Sequence, residues 1–359
     1  MEHIAGFLSP VFFYGMVFFL NVFLPGRWVI GYVTKPGSIE RQRYHLNGMI
    51  VLVSVLVCWG LLCYVGMMPW DWFYSVRWYS VWGAITIGLV FSFIVFKGYP
   101  PVQQSGMADF YFGRAINIQL LKGRIDVKMW LYLAGASMLA VNVMSLDAHH
   151  LILYGNHFSA GIMLSAVLLV FFLFDYLFFE EIHLYTYDLF AERVGFKLGW
   201  GCLAFYPWFY AIPLWSTVSL PPKDLQAGFL VLSALIFLVG WILSRGANLQ
   251  KYYFKKDPTR SFLHIVPKSI SAGDQSLLVN GFWGISRHIN YLGEILMATG
   301  IVLATGHANL IWPWLYPLYY VVLLFPRQLD DHKRCALKYG PLWDQYVEQV
   351  PYKIIPFLY

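Results

Sequence analysis

The stretch Leu277-Leu278-Val279-Asn280-Gly281-Phe282-Trp283-Gly284-Ile285-Ser286-Arg287-His288-Ile289-Asn290-Tyr291-Leu292-Gly293 lies between strongly apolar flanks. It packs Arg, His, Asn, Tyr and Trp into a chain that elsewhere avoids polar groups. Its meaning depends on the solvent around it, and composition identifies that solvent. Of 359 residues, 59% are hydrophobic, 19% aromatic and only 12% charged, whereas a soluble domain carries about 25% charged residues. Polar side chains at membrane depth are costly, so an island of them in an apolar chain reads as a site.

Working outward, a membrane span needs about 17–25 apolar residues. Runs of that kind lie at 6–24, 47–68, 76–96, 130–146, 157–179, 196–218, 227–245, 291–305 and 308–325. The eighth is short and polar-edged, which leaves nine or ten crossings. The expected fold class is all-α: a polytopic integral membrane bundle of 9–10 transmembrane helices with a cytoplasmic C-terminus. Met1-Glu2-His3 offers neither a basic n-region nor a small-residue cleavage site, so the first span is expected to be a retained helix. Residues 1–150 read as N-terminal transmembrane helices with few charged groups. Residues 151–359 read as a C-terminal catalytic region, in which spans alternate with charged inner segments.

Orientation follows from Lys and Arg. With nine crossings, 23 of the 25 basic residues share one side, and only Arg77 and Lys223 fall on the other. The positive-inside bias makes the basic side cytoplasmic. It also accounts for the net charge of +6 without a nucleic-acid partner. Cys58, Cys63, Cys202 and Cys335 have neither disulfide nor zinc spacing, so no metal is expected.

Four polar segments carry the chemistry. In the first, Glu181, Tyr185, Asp188 and Glu192 recur at helical spacing after the fifth span, giving one face three carboxylates and a phenol. Such a face suits a proton relay; the plainer reading is a solvated helix end with Arg193 as partner. In the second, Lys251 and Lys255 are four apart and share a face beneath the seventh span, ready for the phosphates of lipid or of a nucleotide. In the third, Trp283, Arg287, Asn290 and Tyr291 fall at spacings of four, three and one, giving a helix face with a stacking surface, a cation and two hydrogen-bonding groups. In the fourth, Asp331, Cys335 and Tyr339 are four apart on one helical face. Gly340-Pro341 breaks that helix, and Tyr346 follows in the next. The plainer alternative for this tail is an amphipathic helix lying on the membrane.

In this order the four segments resemble the sterol reductase family of polytopic enzymes, which includes sterol C14-, C7- and C24(28)-reductases and the reductase half of the lamin B receptor. The most specific pieces are Leu278 to Gly293, with Gly-Phe-Trp-Gly…Arg-His-x-Asn-Tyr-x-Gly, and Cys335-x-x-x-Tyr339…Tyr346…Val350-Pro351-Tyr352. The resemblance implies an NADPH-dependent sterol reductase, with a cytosol-facing NADPH pocket meeting a lipid-accessible sterol pocket. Carried over position by position, the cofactor contacts are Lys251, Lys255, Leu278, Trp283, Arg287, Asn290, Tyr291, Asp331, Cys335, Tyr339 and Tyr346. The implied mechanism protonates the alkene and then delivers hydride from NADPH to the cation. Tyr185, Glu181 and Asp188, with Asp331, are the candidates for the proton path.

Two departures bear on the substrate. Relatives acting at C14 or C7 usually read Gly-Asp where this chain has Gly201-Cys202. The usual Arg-Asp-Glu-His-Arg-Cys is here Asp330-Asp331-His332-Lys333-Arg334-Cys335. Which double bond is reduced (Δ7, Δ14, Δ24 or Δ24(28)) stays open.

Two other readings compete. Membrane methyltransferases of the isoprenylcysteine carboxyl methyltransferase type share an Arg-His-Pro-x-Tyr-x-Gly signature and bind S-adenosylmethionine. Here the Pro position is Ile289, and Lys251 and Lys255 would have no phosphate to hold. A non-catalytic sterol-binding membrane protein is the second, against which the full set of cofactor positions argues. The expected partners are a sterol entering from the bilayer and membrane lipids, with no nucleic acid and no metal. The expected location is the cytoplasmic membrane of a bacterium or the endoplasmic reticulum membrane of a eukaryote.

Overall fold

A computed structural model describes residues 2–35, 37–103 and 105–359; Met1, Pro36 and Gln104 lie outside the described residues. Each of the nine apolar runs is helical. Among the described residues, five helices are long and apolar enough to cross a membrane: Glu2–Phe23, Arg77–Gly98, Val127–His157, Ala160–Phe178 and Ala227–Lys256. Gly48–Tyr64 and Ile289–Ala304 are shorter apolar helices. The protein is a helical polytopic membrane protein; the described residues also form three two-stranded hairpins, which the all-α expectation did not include. Its contacts divide it into two compact units, Met1–Pro222 and Lys223–Tyr359.

The first unit contains α1 (Glu2–Phe23), β1 (Arg27–Thr34), β2 (Arg41–Leu46), α2 (Gly48–Tyr64), α3 (Arg77–Gly98), α4 (Val127–Tyr154) and α5 (Ala160–Phe178). Helix α4 forms its core, and Ala134, Ala136, Met138, Leu139, Ala140 and Val141 are all fully buried. Small residues let neighbouring backbones approach where lipid offers no hydrophobic drive for packing. At Gly83 of α3, any side chain would collide with the carbonyl oxygen of Phe7 on α1. Strands β1 and β2 pair antiparallel from Arg27↔Leu46 to Thr34↔Arg41, with an irregularity between Ile30 and Thr34.

Two expected helical stretches in this unit are broken. The run 196–218 divides into Phe196–Trp200, a π turn at Gly201–Phe205, Tyr206–Phe209 and Ile212–Trp215. Pro207 and Pro213 cannot donate to the preceding turns, and the resulting π turn shifts the hydrogen-bond ladder. Tyr14 Oη donates to the carbonyl of Leu203 there at 2.5 Å.

The stretch 179–196 is likewise not one helix. It forms α6 (Glu180–His183) and α7 (Tyr187–Phe190), joined by a turn. Thr186 Oγ1 donates to the His183 carbonyl at 2.7 Å, a local bond that competes with the helix. The fully buried Lys128 Nζ then donates to the carbonyls of Asp188, Leu189 and Glu192 at 3.0, 2.9 and 2.6 Å. The continuous face of Glu181, Tyr185, Asp188 and Glu192 therefore does not form.

The second unit contains α8 (Ala227–Lys256), β3 (Ser269–Ala272), β4 (Gln275–Leu278), α9 (Phe282–Ile285), α10 (Ile289–Ala304), α11 (Ile311–Tyr339) and α12 (Pro341–Gln349). Helices α8 and α10 run antiparallel in backbone contact. A Cβ on Gly293 would lie 2.5 Å from the Gly240 carbonyl oxygen, and one on Gly240 would lie 2.6 Å from the Gly293 carbonyl oxygen. Helix α11 changes from an apolar first half to a charged second half and ends at Gly340, whose φ of +52° suits glycine. Trp343, Tyr346 and Val350 of the tail form a small core with Ile270, Leu277 and Val279 of the β3–β4 hairpin.

Candidate functional site

Helix α8 supplies the two lysines expected to share a face. Lys251 Nζ stands 4.8 Å from the centre of the Trp283 ring. The indole Nε1 of Trp283 donates to the Ala247 carbonyl at 2.7 Å, fixing that ring against α8. Lys255 lies within electrostatic reach of Lys251, Lys338, Asp331 and Cys335. Three lysines from two helices thus gather beside one carboxylate. Lys338 was not singled out in the sequence; its place on the same stretch of α11 as Asp331 and Cys335 was the available signal.

Trp283, Arg287, Asn290 and Tyr291 do not lie on one helix. Helix α9 is a single turn, Ser286 is extended, and α10 begins only at Ile289. The break has a cause in the C-terminal tail. Ser286 Oγ donates to the Ile354 carbonyl at 2.9 Å, and Arg287 N donates to the Tyr352 carbonyl at 3.0 Å. The tail therefore pins 286–287 as a strap between the two helices.

Arg287 is buried, and its Nη2 donates to the Pro351 carbonyl at 3.1 Å. Its Nε and Nη1 are buried without a hydrogen-bond partner. Burial holds its pKa below the ordinary guanidinium value, with Tyr346 and Tyr359 opposing. Asn290 Nδ2 donates to Asn248 Oδ1 at 3.4 Å, while its Oδ1 is buried without a partner. A buried donor or acceptor left unmet costs about 1–3 kcal/mol, so this side of the site is complete only with a further group in it.

On α11, Asp331, Cys335 and Tyr339 share a face as expected. Cys335 Sγ is 3.9 Å from Asp331 Oδ2. Burial, with the Asp331 charge, pushes the Cys335 thiol up to about 11, so it stays protonated. His288, quoted in the opening stretch but given no role there, is buried and stacks on Tyr291 with ring centres 4.8 Å apart. Its Nε2 is 3.9 Å from Asp331 Oδ2. Burial pushes it down to about 4, against the pull of Asp331, so it is a neutral ring. Tyr346 on α12 donates to the Trp283 carbonyl at 3.2 Å. Burial raises its pKa above the ordinary phenol value and keeps it a donor. Leu278 is buried at the end of β4, opposite Ser269.

The other expected catalytic residues belong to the first unit. Glu181 on α6 pairs with Arg27 Nη1 at 3.1 Å. Tyr185, in the turn, donates to the Ile30 carbonyl of β1 at 3.5 Å. Asp188 stands on α7, with its carbonyl held by Lys128. Neighbouring Glu180, which the sequence reading passed over, accepts from Gly48 N at 3.2 and 3.1 Å. Burial pushes its carboxyl up to about 7, against the Gly48 bond and Arg27. Among the described residues, no group of three or more His, Cys, Asp or Glu side chains could hold a metal ion.

The sequence profile described as the Ergosterol biosynthesis ERG4/ERG24 family matches residues 5–359. The chain is 30% identical over 366 residues to the Delta(14)-sterol reductase of Arabidopsis thaliana, covering 97% of this chain and 95% of that protein. It is 32% identical over 334 residues to Delta(14)-sterol reductase TM7SF2 of Mus musculus, covering 89% and 78%. It is 29% identical over 370 residues to the Delta(14)-sterol reductase of Methylotuvimicrobium alcaliphilum, covering 99% and 83%. These matches run through both units rather than through one motif, and they include the segments that converge around Arg287. The chain belongs to the ERG4/ERG24 family of sterol reductases.

Proposed function

We propose that the protein reduces a sterol carbon–carbon double bond with NADPH, and that the site around Arg287 binds the nucleotide on the cytoplasmic face of the membrane. The observation that carries the reading is the pair of unmet groups, Arg287 Nε/Nη1 and Asn290 Oδ1, beside the lysine cluster. Such a site fits a ligand that is polyanionic at one end and offers hydrogen-bond donors at the other. Lys251, Lys255 and Lys338 suit the phosphates, and Arg287 suits a phosphate or ribose oxygen. Trp283 and Tyr291 offer stacking faces, and Asn290 Oδ1 offers an acceptor to an amide or hydroxyl. S-adenosylmethionine carries no phosphate, so the methyltransferase reading leaves the lysines unexplained.

When bound, the reduced nicotinamide would supply a hydride. The chain's own tasks are to orient that ring, exclude water and furnish a proton. Asp331, flanked by the Cys335 thiol and the neutral His288 ring, is a carboxylate poised at the nucleotide site. Tyr185 and Asp188 stay candidates for carrying a proton inward. Glu181 is engaged by Arg27 Nη1 at 3.1 Å and suits that task less. The names of the similar proteins favour the Δ14 bond as substrate.

The test is product analysis after incubation with NADPH and Δ7, Δ14, Δ24 or Δ24(28) sterols. The expected result is saturation of the Δ14 bond with equimolar NADPH oxidation. Tight binding of S-adenosylmethionine with none of NADPH would overturn the reading.

A further inference from the structure

Helix α10 carries a second polar residue that the nucleotide site does not use. In Ile289–Ala304, past Asn290 and Tyr291, the sequence is apolar except for Glu294 and Thr299. Ser244 Oγ of α8 donates to Glu294 Oε1 at 2.6 Å. One turn along the same helix pair, Asn290 Nδ2 meets Asn248 Oδ1 at 3.4 Å. The two contacts form a polar ladder between α8 and α10, with one rung at the nucleotide site and the other deeper in the span. A carboxylate within an apolar span is costly and reads as functional.

We propose that Glu294 is the acid that protonates the sterol double bond. The inference rests on the reading that this site reduces sterols, and it adds an atom to which the proton belongs. The geometry of the reaction asks for it. The two alkene carbons are bonded neighbours, so the acid and the hydride donor must both come within a few ångströms of the same bond. Residues four apart on a helix are neighbours, about 5–6 Å between Cβ atoms. With Asn290 Oδ1 accepting from the nicotinamide amide in that reading, Glu294, four residues on, stands one turn from the hydride donor. The Ser244 hydroxyl, which donates to Glu294 Oε1, is placed to hold the carboxylate left once a proton has been given up.

In the step, the π pair takes the Glu294 proton to form a C–H bond, leaving a cation on the other carbon. The carboxylate left behind is its counter-charge, steadied by the Ser244 hydroxyl. Hydride from the reduced nicotinamide closes the second C–H bond, the nicotinamide leaves oxidised, and a proton from water restores the acid.

The test uses the full-length protein and two measurements. One is sterol turnover with NADPH. The other is binding, without nucleotide, of a sterol analogue in which an ammonium nitrogen replaces the cationic carbon, a mimic of the charged intermediate. Glu294→Gln is expected to lower turnover about 10²–10⁴-fold, to weaken the ammonium analogue about tenfold or more, and to leave NADPH affinity unchanged. Turnover within threefold of the unmodified protein overturns the assignment. So does lost turnover with ammonium affinity unchanged. Should Glu294→Gln not accumulate as folded protein, Glu294→Asp and Ser244→Ala carry the same measurements. Asp is expected to keep the ammonium affinity within about threefold, Ala to lower turnover, and unchanged turnover in both overturns the assignment. Failure of the underlying reading looks different: the unmodified protein would reduce no sterol at all.

Discussion

The polar segment 179–196 and the proposed nucleotide site around Arg287 looked alike in the sequence, and the fold treats them in opposite ways. In the first, hydrogen-bonding capacity is consumed internally. Lys128 delivers its N–H groups to three carbonyls, Glu180 takes the Gly48 N–H, and Glu181 pairs with Arg27. In the second, residues from α8, α9, α10, α11 and the tail converge, yet Arg287 and Asn290 keep buried atoms unmet. The first cluster closes on itself, and the second keeps capacity that the proposed ligand would use. Four experiments can break or sharpen this contrast.

The largest effect is expected at Lys128. Lys128→Ala leaves three carbonyls without their donor, a loss of about 3–5 kcal/mol that approaches the whole stability of a domain. The variant should fail to yield monodisperse protein on gel filtration; a folded, normally melting variant would remove the architectural reading of that segment.

Next is Glu180, whose effect follows pH. Its folded pKa of about 7 lies above the ordinary 4.5 because burial disfavours the charge. The folded state therefore holds a proton that the unfolded chain has released. That contribution is complete below pH 4.5 and is lost as pH rises through 7, on the order of a few kcal/mol. Melting temperature should fall from pH 5 to pH 8 in the unmodified protein. Glu180→Gln should flatten the curve, and an unchanged slope would place the titration elsewhere.

Arg287→Ala tests the open cluster. Losing charge-assisted bonds costs about 1.5–3 kcal/mol, or roughly 10–100-fold in NADPH affinity by fluorescence titration. A change under threefold would mean that those N–H groups meet water rather than a ligand. The smallest effect belongs to Asn290→Ala, about 1 kcal/mol or fivefold in the same titration, with the melting temperature hardly moved. A large fall in melting temperature with unchanged affinity would make Asn290 a packing residue of the α8–α10 pair.

Apolar run length made the nine stretches legible, although 196–218 divides around Pro207 and Pro213. Helical spacing made legible the shared faces of Lys251/Lys255 and Asp331/Cys335/Tyr339, because each depends only on residues within one helix. What failed depended on distant partners. Glu181, Tyr185, Asp188 and Glu192 have helical spacing, but Thr186 and the remote Lys128 take the carbonyls that a continuous helix would need. Trp283 to Tyr291 have it too, yet the tail at Tyr352 and Ile354 pulls 286–287 into an extended strap. The β1–β2 hairpin was readable in principle. A Pro-Gly pair at 36–37 separates a β-rich run at 27–34 from the basic run 41–46, which is a hairpin signal. The open valences of Arg287 and Asn290 leave no trace in sequence, since they exist only once the surrounding elements are in place.

The glycine contact between α8 and α10 has a mechanical consequence. Where Gly240 and Gly293 touch backbone to backbone, neither helix can roll or slide by a residue without a steric clash, so the pair behaves as a single rigid strut. Asn290 and Glu294, one turn apart on α10, are therefore held in place by the same backbone contact. Replacing either glycine by alanine would wedge the strut open and shift Asn290 and Glu294 together.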